Sequence, residues 1–249
     1  NFGISFIHDT FRDEDGDGFH EFAPDLALMW AAPMFSEMFG ETHLRWQDNY
    51  TSAEIDLDLY VFAADRISLL AASTEVQRGG SADWPYEDVF YSTQAGEPIY
   101  LAVRAKIPGE VPEGTPFYIY ADDTILGVPS EDGSITAPAD SSKIISVGAI
   151  EASETIWQRS GRGPTWDGRI KPDLVAPTRL KLESTDEIFT GTSASSPIVA
   201  GAAAIIRAAF PELSEVEVRH YLLTQAVDLG DEGPDNSFGY GRVWLPPPQ

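Results

Sequence analysis

Hydrophobic and polar positions change their rhythm along this chain. From about 26 to 125, short alternating or β-branched runs are separated by Gly, Pro, Asn and Asp clusters, the pattern of strands and tight turns. Strands are expected at Leu26–Trp30, His43–Trp46, Ile55–Phe62, Ser68–Ala72, Val89–Ser92, Ile99–Arg104 and Phe117–Tyr120. Roughly seven strands at this spacing predict an all-β sandwich or jelly roll. Their order stays open.

From about 131 the texture changes. Ile144–Ala149 is a short continuous apolar run, as expected of a strand buried on both faces of a parallel sheet, and Leu174–Ala176 is a shorter one. From Ser193 to Phe210 the residues are small and apolar nearly all round, ending before Pro211. That predicts a helix buried in a core. A second helix is expected from Ser214, where Glu217 three residues on completes a capping box ahead of apolar Val218, Tyr221 and Leu222. Pro246-Pro247-Pro248 can only be a linker or a stop. The chain contains no internal repeat.

Charge narrows the partners. The 249 residues carry 40 acidic and 16 basic side chains, a formal net charge of −24. Such a surface repels nucleic acid and anionic membranes, attracts divalent cations and is suited to salt. It fits a halophilic or marine source and ordinary secreted acidity about equally. Cysteine is absent, which excludes disulfides, thiolate metal sites and cysteine nucleophiles. No apolar run approaches the length of a membrane helix. The chain opens on Asn1 rather than Met and reads as part of something longer.

The first chemistry-bearing cluster is acidic. Asp13, Asp15 and Asp17 alternate with other residues and are followed by Gly18. Oxygens two residues apart can converge on one hard cation, and Gly permits the turn, so the pattern predicts a calcium loop. The Phe19 carbonyl and Glu21 are the further ligands expected. The twelfth position, an acid in a complete helix–loop–helix site, is Pro24, so a partial loop is expected, completed by Asp25 or by the β region. A plain solvated acidic turn is the other reading.

The second is Thr190-Gly191-Thr192-Ser193-Ala194-Ser195-Ser196-Pro197-Ile198-Val199-Ala200-Gly201. A serine in the first turn of a helix has unpaired backbone N–H groups and the positive end of the dipole beside its hydroxyl. A tetrahedral oxyanion formed there meets donors already in place. An ordinary capping serine would require neither the Gly-Thr before it nor the Pro four residues after it.

Gly191-Thr192-Ser193, Pro197 and Val199-Ala200-Gly201 resemble the serine motif of the subtilisin-like proteases. The neighbouring segments keep that family's order: Ser141–Ile150, Ser160–Pro164, Asp167–Pro177, and Phe238–Val243 with its Gly239-x-Gly241 closure. Thr178 stands where most relatives place Gly. The resemblance covers about 131–245. It implies the C-terminal part of a doubly wound parallel α/β sheet. Ser193 is then the nucleophile that attacks a peptide bond, and its N–H is an oxyanion donor.

The resemblance also says what is missing. A serine hydroxyl needs a base, and the base an orienting acid. His8, His20, His43 and His220 lie outside the family's histidine motif and are expected as surface or packing residues. The triad Asp and His are therefore expected upstream, in a missing N-terminal half. This chain alone is expected to be inactive and prone to self-association. Asn1, followed by Phe2-Gly3, His8 and the acidic loop, resembles the family's oxyanion asparagine. The division implied is 1–25 for that asparagine and the loop, 26–130 for an inserted β domain, and 131–249 for the protease part.

Asp56-Leu57-Asp58-Leu59-Tyr60 resembles a strand of secreted domains that accompany extracellular proteases, and Trp46, Trp84, Tyr86 and Tyr91 are expected either in a binding face or in packing. The expected protein is a secreted endopeptidase with a calcium-stabilised insert. The alternative is a binding or adhesion module on a non-catalytic scaffold.

Overall fold

In the computed structural model the described residues are 5–33, 38–93, 97–121, 124–127, 132–183 and 186–246. They form two compact units, residues 2–130 and residues 131–249.

The first unit is all β. Strands β1 (Ser5–Thr10), β8 (Pro116–Ala121), β3 (Met38–Trp46) and β6 (Tyr86–Thr93) make one antiparallel sheet in the order β1-β8-β3-β6. Strands β5 (Leu69–Ser73), β4 (Leu57–Phe62), β7 (Ile99–Ala105), β2 (Met29–Pro33) and β9 (Thr124–Leu126) make a second, in that order. Alternation sends one row of each sheet inward. Leu44, Trp46, Val89, Phe117 and Ile119 from the first join Leu57, Leu59, Val61, Leu101 and Val103 from the second in one buried cluster. Each of the seven expected strand segments overlaps a strand. Residues 5–25 are woven into this unit, because β1 pairs with β8 along its whole length and Phe19 bridges Arg104.

One inward position of the first sheet carries a carboxyl group. On β6 the buried row reads Glu87, Val89, Tyr91, and Glu87 is only 1% exposed. Its carboxyl bonds the Ser73 hydroxyl and the Gln77 amide. Burial pushes its pKa up from 4.5 to about 7. The folded unit thus binds this proton more tightly than the unfolded chain. The contribution of the group is full below the unfolded value of 4.5 and is lost as pH rises through about 7. Glu87→Gln should therefore be near neutral at pH 4 but stabilising at pH 8, by up to about 3 kcal/mol at 1.4 kcal/mol per pK unit. Urea titrations of wild type and variant at both pH values check this.

The second unit is built on parallel strands. β10 (Val147–Ile150) pairs with β11 (Leu174–Pro177), and Arg242 bridges Val175 in parallel on the other side. The apolar run begins at Ile144 but the ladder begins at Val147, since the Ser146 N–H is taken by the Asp173 carboxylate at 2.7 Å. A short hairpin joins β12 (Leu180–Lys181) to β13 (Ile188–Phe189). Helix α1 (Thr192–Ala209) and helix α2 (Glu215–Thr224) follow, with Leu174, Ala176, Val199, Ala202, Ile206, Val218, Leu222 and Val243 as core. The Ser214–Glu217 capping box starts α2.

One expectation is corrected here. Helix α1 is not buried all round: Ala200, Gly201, Ala204 and Ala208 are exposed, and Ile205 is 61% exposed. The strands and α2 cover only the stripe through Val199, Ala202 and Ile206, so the opposite apolar stripe is left open by the described residues of this unit.

Candidate functional site

Ser193 is the second residue of α1 and is exposed. The turn before it needs Gly191, whose φ of 94° is costly for any residue with a Cβ. The first intrahelical bond runs from the Ala194 N–H to the Gly191 carbonyl at 2.9 Å. The Ser193 N–H therefore precedes the helical ladder, as orphan N–H groups of a first turn do. No side-chain hydrogen bond caps the helix and no acid stands in its first turn, so its positive end is not offset by a carboxylate of its own first turn. Pro197 has no N–H to give the Ser193 carbonyl, and it is tolerated this close to the helix start.

The backbone that carries the serine is anchored to the sheet. Ser195, fully buried, donates its hydroxyl to the Pro177 carbonyl at the end of β11, 3.1 Å away. Below, a charge cluster holds the start of that strand. Lys171, 1% exposed, places Nζ 2.5 Å from Asp173 Oδ2 and 2.9 Å from the Ile144 carbonyl. Arg219 of α2 reaches Asp173 Oδ1 at 2.5 Å.

The acidic loop lies in the first unit. Ligand oxygens of Asp13, Asp15, Asp17 and Glu21 all fall within 4.8 Å of one another. Asp13 accepts the Gly16 and Gly18 N–H groups at 2.9 and 3.1 Å, Asp15 accepts that of Asp17 at 3.1 Å, and Asp17 accepts that of Phe19 at 2.7 Å. Glu21, 5% exposed, is aimed inward with them. The bridge to Arg104 uses the Gly18 carbonyl and the His20 N–H, and leaves the Phe19 carbonyl out of the ladder. Four hard oxygens at this separation fit Ca²⁺. Glu21 stands in the cluster as expected, and Asp25, one of the groups expected to complete it, is outside it.

The Subtilase family profile matches residues 128–241, the stretch that holds β10, β11 and α1. That segment, just under half of the chain, is similar to the subtilase family. The Halolysin-like extracellular serine protease Nep of Natrialba magadii is 34% identical over 115 residues, 45% of this chain and 20% of that protein. Serine protease AprX of Bacillus subtilis is 34% identical over 135 residues, 44% of this chain and 30% of that protein. The CspB protease of Clostridium perfringens shares the fold at a TM-score of 0.65 and 19% identity, over 96% of this chain and 55% of that one. The chain thus spans less than a third of the length of these two curated relatives.

Three of the four histidines pack or pair within the first unit. His20, fully buried, lies edge-on against Phe22 and Phe117. Its Nδ1 accepts the Arg12 N–H, which leaves Nε2–H for Asp9 at 3.3 Å. His43 stacks on Tyr120 and pairs with Asp88 at 2.6 Å. His8 packs its ring against Tyr118, and burial lowers its pKa. His220 is exposed on α2. Trp46 and Tyr91 are 1% and 4% exposed and belong to the core, whereas Trp84, 43% exposed, stacks on Tyr86 at the surface. Asn1 lies outside the described residues. The Lys171–Asp173–Arg219 cluster escaped sequence reasoning. Its members are separated by up to 48 positions, and only the Lys-Pro-Asp at 171–173 hinted at it.

Proposed function

We propose that this chain is the C-terminal part of a secreted subtilisin-like endopeptidase, in which Ser193 forms the acyl-enzyme. The supporting observation is the exposed Ser193 at the uncompensated N-terminus of α1, inside the segment matched by the family. In this reading Ser193 Oγ attacks the scissile carbonyl and gives its proton to a histidine supplied by the missing N-terminal half of the domain. The carbonyl oxygen becomes the oxyanion, with the Ser193 N–H and the Asn1 amide as donors. The histidine returns that proton to the amide nitrogen as the tetrahedral species collapses, so the C–N bond breaks, the amine departs and the acyl group stays on Oγ. The substrate is a protein or peptide. This chain alone is inactive in this reading, since the triad Asp and His belong to the other half.

The uncovered stripe of α1 supports the need for that half. Ala200, Ala204 and Ile205 present an apolar face that a doubly wound sheet would bury. Alone, the chain self-associates through it. Residues 2–130 are read as a β-sandwich inserted between the asparagine and the strand at 147.

The test is fluorophosphonate labelling of this chain, alone and co-expressed with the upstream half, with Ser193→Ala as control. Labelling that requires both the upstream half and Ser193 supports the endopeptidase. No labelling when both halves are folded and associated overturns it in favour of a non-catalytic scaffold.

Calcium is the proposed structural ion of the acidic loop, held by Asp13, Asp15, Asp17, Glu21 and the Phe19 carbonyl. Bound Ca²⁺ supplies no chemistry to the serine; its two positive charges offset half of the charge of the four carboxylates and tie the loop. Saturating Ca²⁺ should raise the stability of the first unit, by about 2.7 kcal/mol at one hundred times Kd. Asp15→Asn should remove most of that gain, and isothermal titration with thermal melts in Ca²⁺ or EGTA checks it.

A further inference from the structure

The strand that ends before the nucleophile and the helix that carries it are joined by the hydroxyl of Thr178. Thr178, 5% exposed, follows β11 directly, and its own N–H is fixed to the Ile150 carbonyl at 2.9 Å. Its Oγ1 accepts the Gly191 N–H at 2.7 Å and lies 3.2 Å from the Gly191 carbonyl, to which it donates. One hydroxyl thus satisfies both polar groups of a single glycine. Gly191 is two residues before Ser193, at a φ of 94° that glycine adopts freely but does not fix by itself. Its carbonyl also receives the first helical N–H, from Ala194. Ser195 adds a second tie through the Pro177 carbonyl.

We propose that Thr178, assisted by Ser195, is a positioning residue for Ser193. A glycine at positive φ is the most mobile residue the chain offers, and rotation about it swings both the Ser193 N–H and its hydroxyl. Acyl transfer requires both to be held within a fraction of an ångström, and a misplacement of 1 Å can cost about 10²-fold. Thr178 couples the turn to the sheet, so the serine inherits the rigidity of β11. A Gly at 178 would have to leave this coupling to other contacts. The inference rests on the endopeptidase reading of Ser193.

The test follows fluorophosphonate reaction of the protein with its upstream half as separate kinact and KI values. Thr178→Val keeps the shape and removes the hydroxyl, and should lower kinact about 30- to 100-fold with KI within twofold of wild type. Thr178→Ser restores the hydroxyl and should recover kinact to within about threefold. Wild-type kinact in Thr178→Val, an equal loss in Thr178→Ser, or a loss confined to KI would overturn the proposal. If wild type is not labelled, the endopeptidase reading fails separately. The tie is then judged by amide exchange at Thr192 and Ser193 in this chain. At least tenfold faster exchange in Thr178→Val, with β10 and β11 unchanged, supports the tie, and unchanged exchange sinks it.

Discussion

Asp173→Ala is expected to unfold the second unit while the β unit stays protected. Asp173 is 4% exposed and receives Lys171 and Arg219 at 2.5 Å each, together with the Ser146 N–H at 2.7 Å. Removing it strands the Lys171 ammonium at 1% exposure with the Ile144 carbonyl as its remaining described partner. Breaking a buried pair from one side costs about 3–5 kcal/mol, because the other charge is left uncompensated. That is a large part of the 5–15 kcal/mol by which whole domains are stable. The strand ladder is lost with it, since the same carboxylate sets where β10 starts. Hydrogen exchange should show protection vanish at Val147–Ile150 and Leu174–Pro177 and persist at Leu57–Phe62. Lys171→Met combined with Asp173→Ala should regain part of the loss, because no buried ammonium remains. A single variant as protected as wild type would mean that water reaches the cluster and screens it.

Gly241→Ala is the second large effect expected. Gly241 has a φ of 109°, and a Cβ there would stand 2.1 Å from the Val227 carbonyl oxygen and 2.7 Å from its carbon. These are backbone atoms, held because Val227 and Arg242 exchange hydrogen bonds at 2.9 and 2.8 Å. The segment cannot simply move aside, because the Gly241 carbonyl accepts the Val175 N–H at 3.0 Å and the Val243 N–H reaches the Val175 carbonyl at 2.9 Å. Left-handed strain of roughly 1–3 kcal/mol and overpacking of roughly 1–3 kcal/mol act together. Thermal melts and exchange at Val175 should both report a loss of about 3–5 kcal/mol. By contrast, Gly233→Ala, with a φ of 85° but open space around its Cβ, should show the strain alone.

These positions differ in how readable they were. The helix at Ser193 was legible because its signals are local. Gly191, Pro197 and a run of small residues fix its start and its close packing within twenty residues. The Ser214–Glu217 box was legible for the same reason. Strand β1 was missed because Ser5–Thr10 carries His8 and Asp9 inside an acid-rich stretch, and only pairing with β8, more than one hundred residues away, makes it a strand. The three residues of β9 are too few to show a period. The acidic loop was legible as a ligand pattern, Glu21 included, but that Asp25 stands outside the cluster depends on the local fold, which no spacing shows. Sequence also marked Thr178 as a departure, yet its contact with Gly191 spans 13 positions and depends on where β11 ends. The uncovered stripe of α1 was read as core because composition reports apolarity and not the presence of a neighbour.

The acidic loop has a mechanical consequence. It leaves β1 in one sheet and, within nine residues, touches Arg104 at β7 in the other. It is therefore a strap across both layers, and the ladders on either side do not depend on it. An ion gripping that strap would resist shear between the layers while adding nothing to the strands themselves. Pulled from its ends, the unit should yield at a higher force with Ca²⁺ present, at an unchanged contour length, like a hinge fitted with a latch.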